Sequence, residues 1–146
     1  MTTLRRFRWW DVEAARAVET ELFPDAWSVE TFWSELAHVP ETRHYLVADD
    51  DGAVVGYAGL MTVGRQADVQ TVAVASDQQG HGYGATLLRA ILDEAIARGC
   101  TEVLLEVRVD NEPAMHLYEK AGFERISVRR GYYPGGVDGL VMRLRI

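Results

Sequence analysis

The apolar residues of this chain keep two different rhythms, and the changes between them divide it into elements. Residues 69–74 (VQTVAV) form a short run rich in β-branched side chains, which suits a buried strand. Further on, Leu87, Leu88, Ile91, Leu92, Ala95 and Ile96 recur at helical spacing and leave Arg89, Asp93 and Arg98 for the wet face. Between strand and helix lies Gln79-Gly80-His81-Gly82-Tyr83-Gly84. Glycines at alternate positions let backbone N–H groups approach a ligand with no Cβ in the way. The helix behind them adds unpaired N–H groups and the positive end of its dipole. A strand, glycine loop and helix in this order make an anion site, and a pyrophosphate suits it best.

The preceding chain reads as an antiparallel meander with two helices inserted. Residues 3–8 alternate weakly, as an edge strand does. A helix is expected from Trp10 or Asp11 to Leu22, with Asp11 as its cap and Val12, Ala15, Val18 and Leu22 facing inward. Ser28 opens a second helix, with Phe32, Trp33 and Leu36 as its apolar face and Pro40 beyond its end. Trp9 and Trp10 read as core residues at a helix end, whereas Trp27 sits in the irregular link, where loops carry function. Residues 45–48 and 54–63 are strands joined at Asp51-Gly52, a hairpin signal. Gly56 and Gly59 mark a bend or a close backbone approach in the second strand. The Asp49-Asp50-Asp51 triplet has no neighbouring histidine or spaced carboxylate, so a solvated turn is expected and no metal site.

After the long helix, residues 101–107 (TEVLLEV) form another apolar strand, reached by a crossover and therefore parallel to the 69–74 strand. A short helix follows over 112–121, with Pro113 in its first turn, Ala114, Leu117, Tyr118 and Ala121 inward, and Gly122 closing it. Residues 123–129 and 140–145 are the last strands, joined by a Gly-rich loop that holds Tyr132 and Tyr133. The expected architecture is one α/β domain over 1–146, a mixed, mostly antiparallel sheet with helices on both faces.

Charge and composition narrow the partners. The net charge is −7, and no Lys/Arg cluster is long enough to track a nucleic-acid backbone, so no nucleic acid is expected. An acidic protein favours a basic polypeptide. No apolar stretch is long enough to span a membrane, and residues 4–10 carry three arginines where a signal peptide would be apolar. The lone Cys100 excludes an internal disulfide and a cysteine zinc site and reads as a buried, inert thiol. A cytoplasmic protein, slightly more readily a monomer, is the expectation.

The loop itself separates three ligand classes. A P-loop needs Gly-Lys-Ser/Thr, and Gly84-Ala85-Thr86 has no lysine. A dinucleotide loop needs G-x-G-x-x-G, and the third glycine here comes one residue early. Glu102 and Glu106 lie near the distance of that fold's acidic residue, which keeps the alternative open. Read as Gln79-x-x-Gly82-x-Gly84, the loop resembles the coenzyme A pyrophosphate loop of the GNAT acetyltransferases. The resemblance extends over almost the whole chain: Val72-Ala73-Val74, Leu105-Glu106-Val107-Arg108, Asp110-Asn111, Ala114, Leu117-Tyr118-Glu119 and Ala121-Gly122-Phe123 stand in the order of the GNAT motifs. LEVRVDN, LYEKAGF and RRGYYP are similar to the ribosomal-protein alanine N-acetyltransferase branch. Ala26-Trp27-Ser28 resembles that branch's Pro-Trp-Ser, with alanine in the proline's place.

The resemblance implies acetyl-CoA as cosubstrate and no metal. It assigns the pantetheine arm to backbone groups of Val72 and Val74, and the pyrophosphate to Gln79, Gly80, His81, Gly82, Tyr83 and Gly84. Asn111 becomes a coenzyme ligand, although Asn before Glu-Pro is equally a helix N-cap. Ligands of open α/β sheets enter where neighbouring strands part at their carboxyl ends. Acetyl transfer needs a neutral amine, a polarised thioester carbonyl and a proton for the departing thiolate. Glu106, near the end of a central strand, is the candidate general base, raised by burial or relayed through water; otherwise it merely pairs with an arginine such as Arg108. Tyr118 is the candidate acid, and a backbone N–H near Val74 polarises the carbonyl. Trp27, Tyr132 and Tyr133 read as substrate-groove aromatics or as plain loop packing. The implied acceptor is a protein N-terminus, the alanine of a small ribosomal-subunit protein first among them. An α-amine has a pKa of about 7.7–8.0 against about 10.4 for lysine, so it needs less help at neutral pH. A lysine or small-amine acceptor, and a non-catalytic acyl-CoA module, are the alternatives. Arg125, Arg129 and Arg130 contact coenzyme phosphate or face solvent.

Overall fold

The computed structural model describes residues 2–146. In chain order the elements are β1 (Thr2–Arg6), α1 (Val12–Leu22), α2 (Val29–Leu36), β2 (Arg43–Asp50), β3 (Ala53–Val63), β4 (Gln66–Val74), α3 (Tyr83–Ala97), β5 (Glu102–Arg108), α4 (Glu112–Lys120), β6 (Glu124–Tyr133) and β7 (Val137–Arg145). Short 3-10 turns cover Trp9–Asp11, Ser76–Gln78 and Pro134–Gly136. All seven strands join one mixed sheet in the order β1-β2-β3-β4-β5-β7-β6, and only the β4–β5 pair is parallel. Among the described residues, no helix is long and apolar enough to cross a membrane.

Two apolar clusters lie on the sheet. α3 buries Leu87, Leu88, Ile91, Leu92 and Ala95 against Leu60, Val103 and Met142 in one. In the other, Val12, Ala15 and Val18 of α1 and Phe32 of α2 pack with Phe7, Tyr45 and Tyr57. Each large side chain fully buried in this way stabilises the fold by about 1.5–3 kcal/mol. Asp51 and Gly52 turn the β2–β3 hairpin at φ 50° and 95°, which only such turn residues accept cheaply. Gly59 is a close-approach glycine: a Cβ there would stand 2.2 Å from the ring of Tyr45.

The gap that shapes the site comes from a bulge. β4 and β5 pair only from Gln66↔Glu102 to Asp68↔Leu104. Immediately beyond, the β3–β4 register slips, with Leu60 opposite Val69 and Gly59 opposite Thr71, so Gln70 is the extra residue. A bulge bends its strand. β4 thereafter follows β3 while β5 follows β7 along its whole length, and the two parallel strands part.

Several faces differ from the sequence expectation. Trp33 and Ile96 are 55% and 51% exposed, because α2 and α3 bury narrower stripes than their apolar content suggests. Trp9 and Trp10 are exposed and rest edge-on against each other, with centroids 5.5 Å apart, instead of entering the core. Asp11 does not cap α1. Its carboxylate turns back to accept from the Arg8 amide at 2.8 Å and from both Nη atoms of Arg5. Arg98 is not on a wet face: it reaches Glu94, Thr62 and the carbonyls of Glu41 and Arg43. Ala121 is exposed, so α4 buries less than expected. Ser28 does cap α2, accepting from Thr31 N at 3.1 Å.

Candidate active site

The parting of β4 and β5 opens a cleft of about 650 Å³. Val72 and Val74 form one wall, Gln79, Gly80 and Gly82 to Gly84 close one end, and Asn111, Leu117 and Tyr118 face them from β5's exit and α4. Gly80 and Gly82 have φ of 87° and 80°, and a Cβ at either would meet no protein atom within 4 Å. Both therefore present bare backbone toward open space at the N-terminus of α3, a geometry that suits an anion. His81 stays outside the cleft; its exposed ring stacks on Tyr83 at 5.8 Å. Gln79 ties the loop down, donating from Nε2 to the Val74 carbonyl at 3.1 Å. Asn111 Oδ1 accepts from Ala114 N at 3.2 Å and caps α4 while lining the cleft.

A second cavity, about 180 Å³, adjoins the cleft and shares Tyr118 with it. Glu19, Asp25, Trp27, Gln70, Glu106 and Tyr133 line it, and Phe23, Val72, Arg108, Asn111, Ala114 and Tyr118 line both spaces. Tyr118 is placed there by helical spacing, one turn after Ala114, with its ring edge-on to Phe123 at 5.8 Å. Burial, with Tyr133 adding to it, pushes the Tyr118 phenol well above its ordinary pKa, so it keeps its proton.

Glu106 lies on β5 opposite Val141 of β7, with 28% of its side chain exposed. Its ion-pair partner is Arg129 on β6, at 3.3 Å, and not Arg108. Arg108 grips Asp110 through Nε and Nη2 at 2.9 and 3.0 Å. Arg125 pairs with Glu119 at 3.1 Å and Arg130 is exposed, so this arginine group does not line the cleft.

Tyr132 and Tyr133 end strand β6 instead of lying in a loop. A wide bulge sets Arg129 opposite Gly139 and Tyr133 opposite Val137, and both rings rest on Gly139, where a Cβ would crowd them at 3.2–3.4 Å. The bulge separates their fates. Tyr133 lines the second cavity, half-buried, and burial with the nearby Glu106 charge pushes its pKa up to about 12. Tyr132 stays 50% exposed beside Glu106, whose hydrogen bonding and charge raise its pKa, and it does not line the cavity. Trp27 is a cavity wall whose ring meets Phe32 edge-on at 5.2 Å.

Glu19 is the site residue that the sequence analysis passes over. It is 3% exposed. Its Oε1 accepts from the Tyr57 hydroxyl and its Oε2 from Trp27 N at 3.1 Å. Burial raises its pKa against the opposing pull of those two hydrogen bonds. The signal was present: Glu19 stands four residues after Ala15 and seven after Val12, on the apolar stripe of α1. With Asp25 and Glu106 it gives the small cavity three carboxylate-bearing walls beside Arg108, with Arg129 paired to Glu106 from outside the lining, a lining that suits a cationic group such as an ammonium. Among the described residues, no group of three or more His, Cys, Asp or Glu is placed to hold a metal ion.

A profile of the Acetyltransferase (GNAT) family matches residues 5–123. The chain belongs to the GNAT acetyltransferase family. This GNAT chain is similar to the N-alpha-acetyltransferase RimI of Mycobacterium tuberculosis (strain H37Rv), 41% identical over 140 residues that cover 91% of the chain and 85% of the relative. It is also similar to the ribosomal protein bS18-alanine N-acetyltransferase of Escherichia coli K12, at 33% identity over 151 residues covering 100% and 99%. The crystal structure of the E. coli ribosomal-protein-S18-alanine N-acetyltransferase superposes with a TM-score of 0.91, covering 100% of this chain and 94% of that one. As a GNAT enzyme, the protein is an acetyl-CoA-dependent N-acetyltransferase.

Proposed function

We propose that this enzyme acetylates the α-amine of a protein N-terminus, with the N-terminal alanine of ribosomal protein bS18 as the first candidate acceptor. What supports this is the junction at Tyr118: the coenzyme-sized cleft and the small acidic cavity share a wall there, with Glu106 on the cavity side. Acetyl-CoA supplies an activated acyl carbon, a thioester carbonyl open to attack by an amine. The acidic cavity draws in the ammonium form of the acceptor. Glu106 takes the proton that the amine loses, directly or through a water, so that the nitrogen lone pair can form the C–N bond. Backbone N–H near Val74 polarises the carbonyl as negative charge develops on its oxygen. Tyr118, held protonated by burial, donates its hydroxyl hydrogen to the sulfur as the C–S bond breaks, and its oxygen takes up the second nitrogen proton that the tetrahedral adduct sheds, so that amide, free thiol and neutral Tyr118 result. Val72 and Val74 hold the pantetheine arm by their unpaired strand edge, and the bare amides of Gly80, Gly82 and Gly84 hold the diphosphate, with Gln79, Tyr83 and Asn111 framing the same cleft.

An α-amine, with a pKa about 2.5 units below lysine's, is neutral often enough near pH 7 for one carboxylate to suffice. The test is incubation with acetyl-CoA and two peptides: one with the bS18 N-terminus, and one with a blocked N-terminus and an internal lysine. Mass spectrometry should find acetyl on the first peptide's α-nitrogen. Acetyl on the lysine alone would assign the enzyme to another acceptor class.

A further inference from the structure

Among the described residues, Nη1 of Arg108 is a buried side-chain nitrogen without a hydrogen-bond partner. The Arg108 side chain is 14% exposed, and it lines both the coenzyme cleft and the acceptor cavity. Nε and Nη2 are spent on Asp110, at 2.9 and 3.0 Å. The guanidinium carbon sits over the ring of Tyr133, 5.4 Å from its centroid. Nη1 is buried and has no hydrogen-bond partner; the nearest carboxylate oxygen, Asp25 Oδ1, stands off at 3.7 Å. A fork on one edge and an aromatic face on one side fix the plane of a guanidinium. The guanidinium of Arg108, a residue that lines both spaces, is thus held in place with Nη1 unpaired. A buried donor left without an acceptor is costly, and more so when it carries charge.

We propose that Nη1 of Arg108 donates a hydrogen bond to the carbonyl oxygen of the acceptor's first residue, and that this bond selects a peptide α-amine over a lysine ε-amine. The proposal rests on the α-amine function above. In an N-terminal residue the carbonyl follows the amine by one carbon, so an amine brought to Glu106 carries an acceptor oxygen with it into the space beside Arg108. A lysine ε-amine is followed by four methylenes. It brings no acceptor into that space, covers Nη1 with hydrocarbon and leaves the donor unpaired. Sites built around such a hydrogen bond discriminate strongly against the analogue that lacks it. Asp25 Oδ1, at 3.7 Å, faces the guanidinium from beyond hydrogen-bond reach and leaves Nη1 unoccupied.

A cycle of two changes tests this. The acceptor is an alanine-terminated peptide, or the same peptide with an (E)-alkene in place of its first amide, which removes the carbonyl and keeps the chain's shape. The enzyme is wild type or Arg108→Lys, with acetyl-CoA affinity by calorimetry and a circular dichroism spectrum as controls for fold. With wild type, the alkene peptide should lose roughly 10- to 100-fold in kcat/KM. Arg108→Lys should lose a comparable factor on the amide peptide and little more on the alkene, and its preference for α-amine over an N-blocked lysine peptide should shrink by the same factor. Additive losses overturn the proposal, since a merely structural Arg108 would cost the same on both acceptors. Equal wild-type rates on amide and alkene peptides overturn it without any variant. Wild type that acetylates no α-amine at all, while acting on lysine, removes the underlying function instead.

Discussion

Arg129 Nη2 stands 3.3 Å from Oε1 of Glu106, reaching past β7 from the edge strand. Arg129 and the neighbouring Tyr132 hydroxyl hold the carboxylate, and 28% of the Glu106 side chain stays exposed. Glu106→Gln keeps the shape and removes the base. Turnover with a peptide amine should fall by roughly 10²–10⁴-fold, with acetyl-CoA affinity little changed, as read by steady-state kinetics and calorimetry. Unchanged kinetics would take Glu106 out of the mechanism.

Tyr118 is buried against Phe123, so Tyr118→Phe keeps the ring and loses only the hydroxyl. The melting temperature should move by a few degrees at most, while kcat falls by roughly 10²-fold or more through slower thiol departure. Because burial raises its pKa, deprotonation of Tyr118 should contribute no alkaline loss of activity below about pH 10, the ordinary phenol value. An unfolded variant would instead make Tyr118 a core residue first.

Gly82 begins α3 at φ 80° with open space where a Cβ would be. Gly82→Ala therefore meets no protein clash, yet it strains the left-handed backbone by about 1–2 kcal/mol and places a methyl group in the diphosphate cradle. Acetyl-CoA should bind roughly tenfold more weakly or worse with the fold retained. Wild-type affinity in calorimetry would show that the loop does not hold the coenzyme.

The Asp11 carboxylate is nearly buried, and burial alone would raise its pKa. Hydrogen bonds from Arg5 and the Arg8 amide, with the Arg5 charge, outweigh that and hold it below the ordinary aspartate value. A carboxylate depressed in the folded state contributes stability that is present above the unfolded pKa of about 3.9 and is lost as pH falls through the folded value. Asp11→Asn should cost roughly 1–3 kcal/mol near neutral pH, and the gap from wild type should close below about pH 4. Urea unfolding at stepped pH reads this directly; a gap that stays constant down to pH 2 would contradict it.

Much of the cleft proposed for the coenzyme could be read along the chain, because strand, glycine loop and helix are local features with local periods. Ser28, Asn111 and the Asp51-Gly52 turn could be read for the same reason: each acts within three residues of itself. The acceptor side depends on residues far apart in sequence. Glu19 becomes a cavity wall only because Tyr57, on β3, and the amide of Trp27 supply its hydrogen bonds. Arg129 rather than Arg108 reaches Glu106, from a register set beyond a bulge between Arg125 and Ser127, and a second bulge, between Arg129 and Tyr133, sends Tyr133 inward while Tyr132 stays out. Helix faces misled where exposure was wide: Trp33 and Ile96 sit at helical spacing but beyond the edge of the packed stripe.

The most direct test is a crystal structure with a bisubstrate conjugate of coenzyme A joined through acetyl to the α-nitrogen of an alanine peptide. Expected is the pantetheine arm between β4 and β5 beyond the last pair, Asp68 and Leu104, the sulfur facing the Tyr118 hydroxyl, and the alanine nitrogen within one water of Glu106. A conjugate whose arm bypasses that gap, or whose peptide leaves the small acidic cavity empty, would contradict it.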